Sequence, residues 1–222
     1  MLFLVVDFEF SVPRNYGNPR AWFQEIIEVG AIIVDEKGNL SDKTYDAFVK
    51  PRFWPRLAEE SYGITGIRQE DVDNGVELEE SIAALKSLTG DTPLEDIYIV
   101  AWGDADRKVL SNVCEKYGIE YPFIWDNYID LAEEYKNFRS LSHLSSLKRA
   151  IEDNSIHQIG ILHSALDDAI NAAQVMAKMM EEGWRPEGLK EEGLSHESPS
   201  EKEAPQGEKK IAGNNSQSDL VV

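Results

Sequence analysis

Met1-Leu2-Phe3-Leu4-Val5-Val6-Asp7-Phe8-Glu9-Phe10 opens the chain, and the reading of these residues decides the fold. Six apolar residues run straight into Asp7, and Phe8 and Phe10 bracket Glu9. An unbroken apolar run containing Val and Phe is the pattern of a central strand buried on both faces. Successive strand side chains point to opposite faces, so Asp7 and Glu9 share one face while Val6, Phe8 and Phe10 take the other. Two carboxylates side by side at the end of a buried strand repel each other and lose hydration. A bound cation offsets both costs, and hard oxygen ligands suit Mg²⁺ or Mn²⁺. A strand end that reaches water would also keep both acids solvated, and this stretch alone leaves the two readings open.

Beyond it, residues 11–23 contain Pro13, Asn15, Gly17, Asn18 and Pro19 and read as a long loop, a kind of segment that often carries function. Residues 25–34 read as a strand with Ile27, Val29, Ala31 and Ile33 on one face, and residues 44–49 as a returning strand after a turn at 35–39. The start is thus a three-stranded meander. Residues 50–71 are irregular in pattern and mix Lys50, Arg52, Arg56 and Arg68 with Phe53, Trp54 and Tyr62. Residues 77–88 predict an amphipathic helix with Leu78, Ile82, Leu85 and Leu88 inward. A short apolar strand follows at 97–101, then helices at 104–117, 129–138, 142–151 and 164–182. Strands first, then helices alternating with a further strand, predict an α/β fold with a mixed central sheet and helices on both faces.

Composition sets bounds on function. No stretch approaches the ~20 apolar residues of a membrane span, and the apolar start lacks the basic residues and cleavage site of a signal peptide. Cys114 has no second cysteine to pair with, which fits a reducing cytoplasm. A net charge of −19 argues against broad binding of nucleic acid or acidic membranes, though not against a local basic groove. The division expected is a domain over residues 1–185 and an acidic tail over 186–222. From residue 187 onward there are eight acids and four lysines among Gly, Ser, Pro, Asn and Gln, a composition that predicts disorder. The remaining body is itself acidic.

Two more stretches hold acids in telling places. In His163-Ser164-Ala165-Leu166-Asp167-Asp168, Ser164 and Asp167 have the spacing of a capping box, so the helix starts at Ser164. His163 then lies just ahead of the helix and Asp168 in its first turn, and both can face one cleft. In Trp102-Gly103-Asp104-Ala105-Asp106-Arg107, helical spacing separates two aspartates. Asp106 aligns with Val109, Leu110 and Val113 on the inward face. Asp104 aligns with Lys108, Ser111 and Glu115 on the wet face and suits an N-cap. An inward acid needs a partner, which makes Asp106 the ligand candidate.

Val6-Asp7-Phe8-Glu9, Gln24-Glu25-Ile26-Ile27-Glu28-Val29-Gly30, Tyr62-Gly63-Ile64-Thr65-Gly66-Ile67, Trp102-Gly103-Asp104-Ala105-Asp106 and His163-Ser164-Ala165-Leu166-Asp167-Asp168 occur in this order. Together they resemble the DEDDh 3′–5′ exonucleases, in particular the enhanced-RNAi exonuclease subgroup and its bacterial KapD sporulation-inhibitor proteins. The resemblance covers roughly residues 2–182 and implies a ribonuclease-H-like fold. It also implies two divalent ions, Mg²⁺ or Mn²⁺, held by Asp7, Glu9, Asp106 and Asp168, with His163 as general base. The reaction implied releases nucleoside 5′-monophosphates from the 3′ end of single-stranded RNA or DNA, RNA being favoured. Tyr62, Ile64 and Thr65 are implied to lie near the terminal nucleotide. Ala105 departs from the subgroup, which often has Trp there. Trp54 and Arg56 are further substrate candidates, since aromatics interleaved with cations track a single strand by stacking and charge; an ordinary surface loop would look the same. The competing readings are a regulatory sporulation-inhibitor binding protein on the same fold and a DNA proofreading exonuclease.

Overall fold

The computed structural model describes residues 1–186, apart from Asn15 and Leu162. The expectation of a disordered tail therefore falls almost wholly outside the described residues. Strands β1 (Leu2–Phe10), β2 (Ile26–Asp35) and β3 (Leu40–Phe48) form the meander. Two short helices, α1 (Ser61–Thr65) and α2 (Gln69–Asp73), occupy the stretch that has no clear period in sequence. Then come α3 (Leu78–Leu88), β4 (Ile97–Ala101), α4 (Ala105–Tyr117), β5 (Tyr128–Asp130), α5 (Leu131–Phe138), α6 (Leu147–Asp153) and α7 (Ala165–Glu181). The sheet order is β3-β2-β1-β4-β5, so the opening strand is central. It runs antiparallel to β2 and parallel to β4.

The alternation along β1 divides the core as the pleat requires. Phe3 and Val5 pack with α5, α6 and α7 on one face. Leu4, Val6 and Phe8 pack with α3 and α4 on the other. Asp7 and Glu9 extend the Phe3–Val5 row and so look toward α7. Two elements differ from the periodicity. Residues 128–130 form a strand ahead of α5, and three residues are too few to show an alternation. The helix expected from residue 142 begins at Leu147, because the Ser146 side chain accepts from the Arg149 amide and caps it there. Among the described residues no helix is long and apolar enough to cross a membrane.

Candidate active site

Four elements converge at the end of β1. Opposite Asp7 in the β1–β2 register stands Gly30. A Cβ there would lie 2.1 Å from the Ala165 carbonyl carbon, so only glycine lets the start of α7 descend onto the sheet. That close approach brings Asp168 down to Asp7 and Glu9. From the other side, Asp106 in the first turn of α4 reaches back to β1, where its Oδ1 accepts from the Phe8 amide at 2.9 Å. Asp106 is 6 % exposed and Asp168 9 %. The inward placement of Asp106 agrees with the helical spacing, and Leu110 and Val113 are buried beside it on the same face.

The corresponding expectation for Asp104 needs correction. It occupies the N-cap position, but its side chain bonds no helix amide. Its backbone (φ −105°, ψ 2°) is not the extended form that aims a cap inward. The carboxylate instead pairs with Arg107 at 2.8 Å and Lys108 at 2.6 Å. Arg107 in turn lies over the Trp125 and Tyr128 rings, 4.4 and 4.6 Å from their centroids.

The capping box at Ser164 is likewise not formed: the Ser164 side chain makes no cap bond. Glu28, across the register from Glu9, does part of that work, since its Oε2 accepts from the Ala165 amide at 3.3 Å. Asp167 accepts from the Ile161 amide and Asp168 from the His163 amide, each at 2.9 Å. These bonds hold the chain ahead of α7, where His163 sits with a positive φ of 72°. The His163 Nδ1 lies 3.9 Å from Glu9 Oε1, with the imidazole 67 % exposed at the mouth of the site. His143 and His157 lie exposed elsewhere in the chain.

The electrostatics are those of crowded, dehydrated acids. Burial first, and then Asp106, Asp168, Glu9 and Glu28, push Asp7 well above the ordinary carboxylate range. Burial followed by the charges of Glu28, Asp168 and Asp106 pushes Glu9 up to about 8. Asp106 is raised to about 7 by burial, against the opposing Phe8 hydrogen bond. Asp168 is also raised by burial, with the His163 amide pulling the other way. Glu28 rises to about 7, again chiefly from burial. Among the described residues no lysine or arginine pairs with Asp7, Glu9, Asp106 or Asp168. Asp168 Oδ1 is buried with no hydrogen-bond partner, and atoms of Glu9, His163 and Asp168 come within 4.8 Å of one another. This is a donor set that fits hard divalent cations. Glu28 escapes the sequence reading as an individual residue; the available signal was an acid in the middle of an otherwise apolar strand.

The substrate candidates divide between two places. A cleft of about 500 Å³ is lined by Tyr62, Ile64, Thr65, Ile161 and His163, with Glu28 at its wall. Tyr62 and Ile64 are exposed there. Thr65 is turned inward, its hydroxyl donating to the Ser61 carbonyl and accepting from the Ile67 amide. Trp54 and Arg56 line a different cavity, beside residues 11–22.

Residues 4–176 match the RNase_T family, described as Exonuclease. The chain is 35 % identical over 179 residues to the "Probable 3'-5' exonuclease KapD" of Bacillus subtilis, a match that covers 81 % of this chain and 84 % of that protein. It is 26 % identical over 184 residues to 3'-5' exoribonuclease 1 of Rattus norvegicus, covering 81 % of this chain and 53 % of the rat protein. The chain therefore spans about half the length of that second relative. Among solved structures, the nuclease domain of 3'hExo, a DEDDh family member bound to rAMP, superposes with a TM-score of 0.69 at 24 % identity, over 82 % of this chain and 92 % of that one. The fold is the ribonuclease-H-like exonuclease fold.

Proposed function

The chain belongs to the RNase_T exonuclease family and is a metal-dependent 3′–5′ exonuclease of the DEDDh type, and from that premise we propose how it works. Its substrate is the 3′ end of a single strand, RNA in preference to DNA. The preference follows the relatives whose names call them exoribonucleases. Asp7, Glu9, Asp106 and Asp168 hold two Mg²⁺ or Mn²⁺ ions. The observation that carries this is the set of buried carboxylates facing one another with no lysine or arginine paired to them among the described residues, one of them with an orphaned oxygen. Two divalent ions bound there would polarise the scissile phosphate, acidify the attacking water and take up charge on the departing oxygen.

The chain's own residues do the rest. His163, held at the mouth of the site by its backbone, takes a proton from the attacking water at Nε2, while Nδ1 is turned to Glu9. The water oxygen bonds to phosphorus as the bond to the 3′ oxygen of the preceding nucleotide breaks. The products are a nucleoside 5′-monophosphate and a strand one residue shorter with a free 3′ hydroxyl. Tyr62 and Ile64 supply apolar surface beside His163 for the terminal nucleotide. The catalytic unit ends near residue 185, a boundary supported by Trp184, which is buried with its indole N–H donating to Glu134. A reducing cytoplasm suits the single, buried cysteine.

A single-turnover assay on 5′-labelled RNA and DNA, with Mg²⁺ or with EDTA, tests the reading. A ladder shortened one nucleotide at a time is expected, faster on RNA and silent in EDTA. Internal cleavage fragments or full activity in EDTA would refute the mechanism. A protein that binds the strands but releases nothing would favour the regulatory alternative.

A further inference from the structure

A cavity of about 250 Å³ lies between the loop at residues 11–22 and the segment at 53–58, and the catalytic set makes no use of it. Trp22, Phe53 and Trp54 give it apolar walls, and Arg14 and Arg56 line it as well. Neither arginine has a carboxylate partner among the described residues, although the chain carries a net charge of −19.

The wall is preorganised. The buried carboxylate of Glu25 accepts from the Phe53 amide at 2.9 Å and from the Trp54 amide at 2.7 Å, which fixes the segment that presents the indole. The opposite wall is continuous with the catalytic strand. Ser11, two residues beyond Glu9, is tied to residue 25 through both its amide and its hydroxyl. Two residues of extended chain span about 7 Å, on the order of one nucleotide step.

We propose that this cavity binds a base of the strand being degraded, upstream of the nucleotide removed, with Arg14 and Arg56 pairing the phosphates that flank it. The proposal rests on the exonuclease reading. Aromatic walls accept any base by its π face, and guanidinium groups pair phosphate oxygens in a fork, so the chemistry selects single strands without selecting sequence. A base stacked in a duplex could not enter.

The test uses the full chain and 5′-fluorescein oligonucleotides from dinucleotide to decanucleotide, RNA and DNA, with anisotropy read in EDTA so that nothing is cleaved. The Arg14→Ala/Arg56→Ala double variant removes two exposed side chains and leaves the fold intact. It should bind the decanucleotide about tenfold more weakly than wild type, a fold-change within the range that loss of two phosphate contacts gives. Turnover of the p-nitrophenyl ester of a nucleoside 5′-monophosphate in Mg²⁺ should stay unchanged, because that substrate has no upstream nucleotide to enter the cavity. Trp54→Ala, which removes one aromatic wall, should weaken decanucleotide binding by about tenfold. Equal decanucleotide affinity for wild type and the double variant would overturn the proposal. A wild-type chain that cleaves nothing in any metal would overturn the exonuclease reading instead, and the titration in EDTA would still decide the cavity.

Discussion

The molecule buries acids in two places and treats them in opposite ways. Glu25 is 0 % exposed, and its oxygens accept from two backbone amides and from the Tyr117 hydroxyl. Arg52 lies over the Tyr117 ring, 4.3 Å from its centroid, and adds positive charge nearby. At the end of β1, Asp7, Glu9, Asp106, Asp168 and Glu28 face one another, and the backbone amides of Phe8, His163 and Ala165 are among the few donors that reach them. Burial is common to both sites, so burial is not what marks a reactive one. Donor satisfaction separates them: Glu25 is completed by the protein and pins a loop, whereas the β1 cluster is not, and in the proposed mechanism cations complete it.

The largest effect expected from this contrast is at Asp106. Asp106→Asn keeps an oxygen for the Phe8 amide and removes a ligand charge, so the turnover rate should fall by about 10³-fold or more while the fold persists. Its stability without metal should not suffer. A carboxylate whose folded pKa is raised stabilises fully below its unfolded value, near 4. That contribution is lost as pH climbs through the folded value, here about 7 for Asp106 and about 8 for Glu9. In EDTA the wild-type Tm should therefore drop between about pH 4 and pH 8, and Asp106→Asn should flatten the drop. Thermal unfolding beside single-turnover kinetics reads both. A variant that retains activity, or one that loses stability in EDTA, would erase the distinction between the two acid sites.

At Glu25 the sign reverses. Glu25→Gln turns one acceptor into a donor that faces an amide N–H, at a side chain closed off from solvent. The cost should be about 1–3 kcal/mol, and Tm should fall by roughly 3–10 °C at any metal concentration. Turnover of the p-nitrophenyl ester, which has no upstream nucleotide, should stay within about twofold of wild type, since Glu25 holds the segment at 53–54 rather than the reacting atoms. A Tm that does not move would mean that the Glu25 bonds are replaceable, and the contrast would lose its structural half.

The sequence shows one side of this comparison better than the other. The acids of β1 stand out because they interrupt an apolar run, and Asp106 because helical spacing places it among Leu110 and Val113. Those are local signals. The completion of Glu25 depends on Phe53, Trp54 and Tyr117, up to 92 positions away, and the Glu28 bond to Ala165 spans 137. No window of sequence holds both partners. The same distance effect explains Ser164. Its spacing to Asp167 has the form of a capping box, but Glu28 from β2 supplies the helix amide and Asp167 is drawn to Ile161. The three residues of β5 were illegible for a different reason, being too short to carry a period.

The smallest effect belongs to Asp104, and it tests whether proximity to the cluster is enough to matter. Asp104 is two residues from Asp106, but it lies outside the crowded set. Lys108 and Arg107 hold its pKa below the usual carboxylate range, the opposite of the shift at Asp106. Its side chain is 27 % exposed, and its two partners lie three and four positions along the same helix. Pairs of that kind contribute about 0.3–0.5 kcal/mol each, and the side chain makes no cap bond whose loss would add to this. Asp104→Ala should therefore lower Tm by only about 1–4 °C. Asp104→Asn, which can still accept from Arg107, should lower it less. Neither should change the turnover rate by more than about twofold, because Arg107 stays seated between Trp125 and Tyr128 without its carboxylate partner. A tenfold loss of rate in Asp104→Asn at unchanged Tm would place Asp104, through Arg107, in the electrostatics of the reacting centre. The line between completed and uncompleted acids would then have to be drawn on its other side.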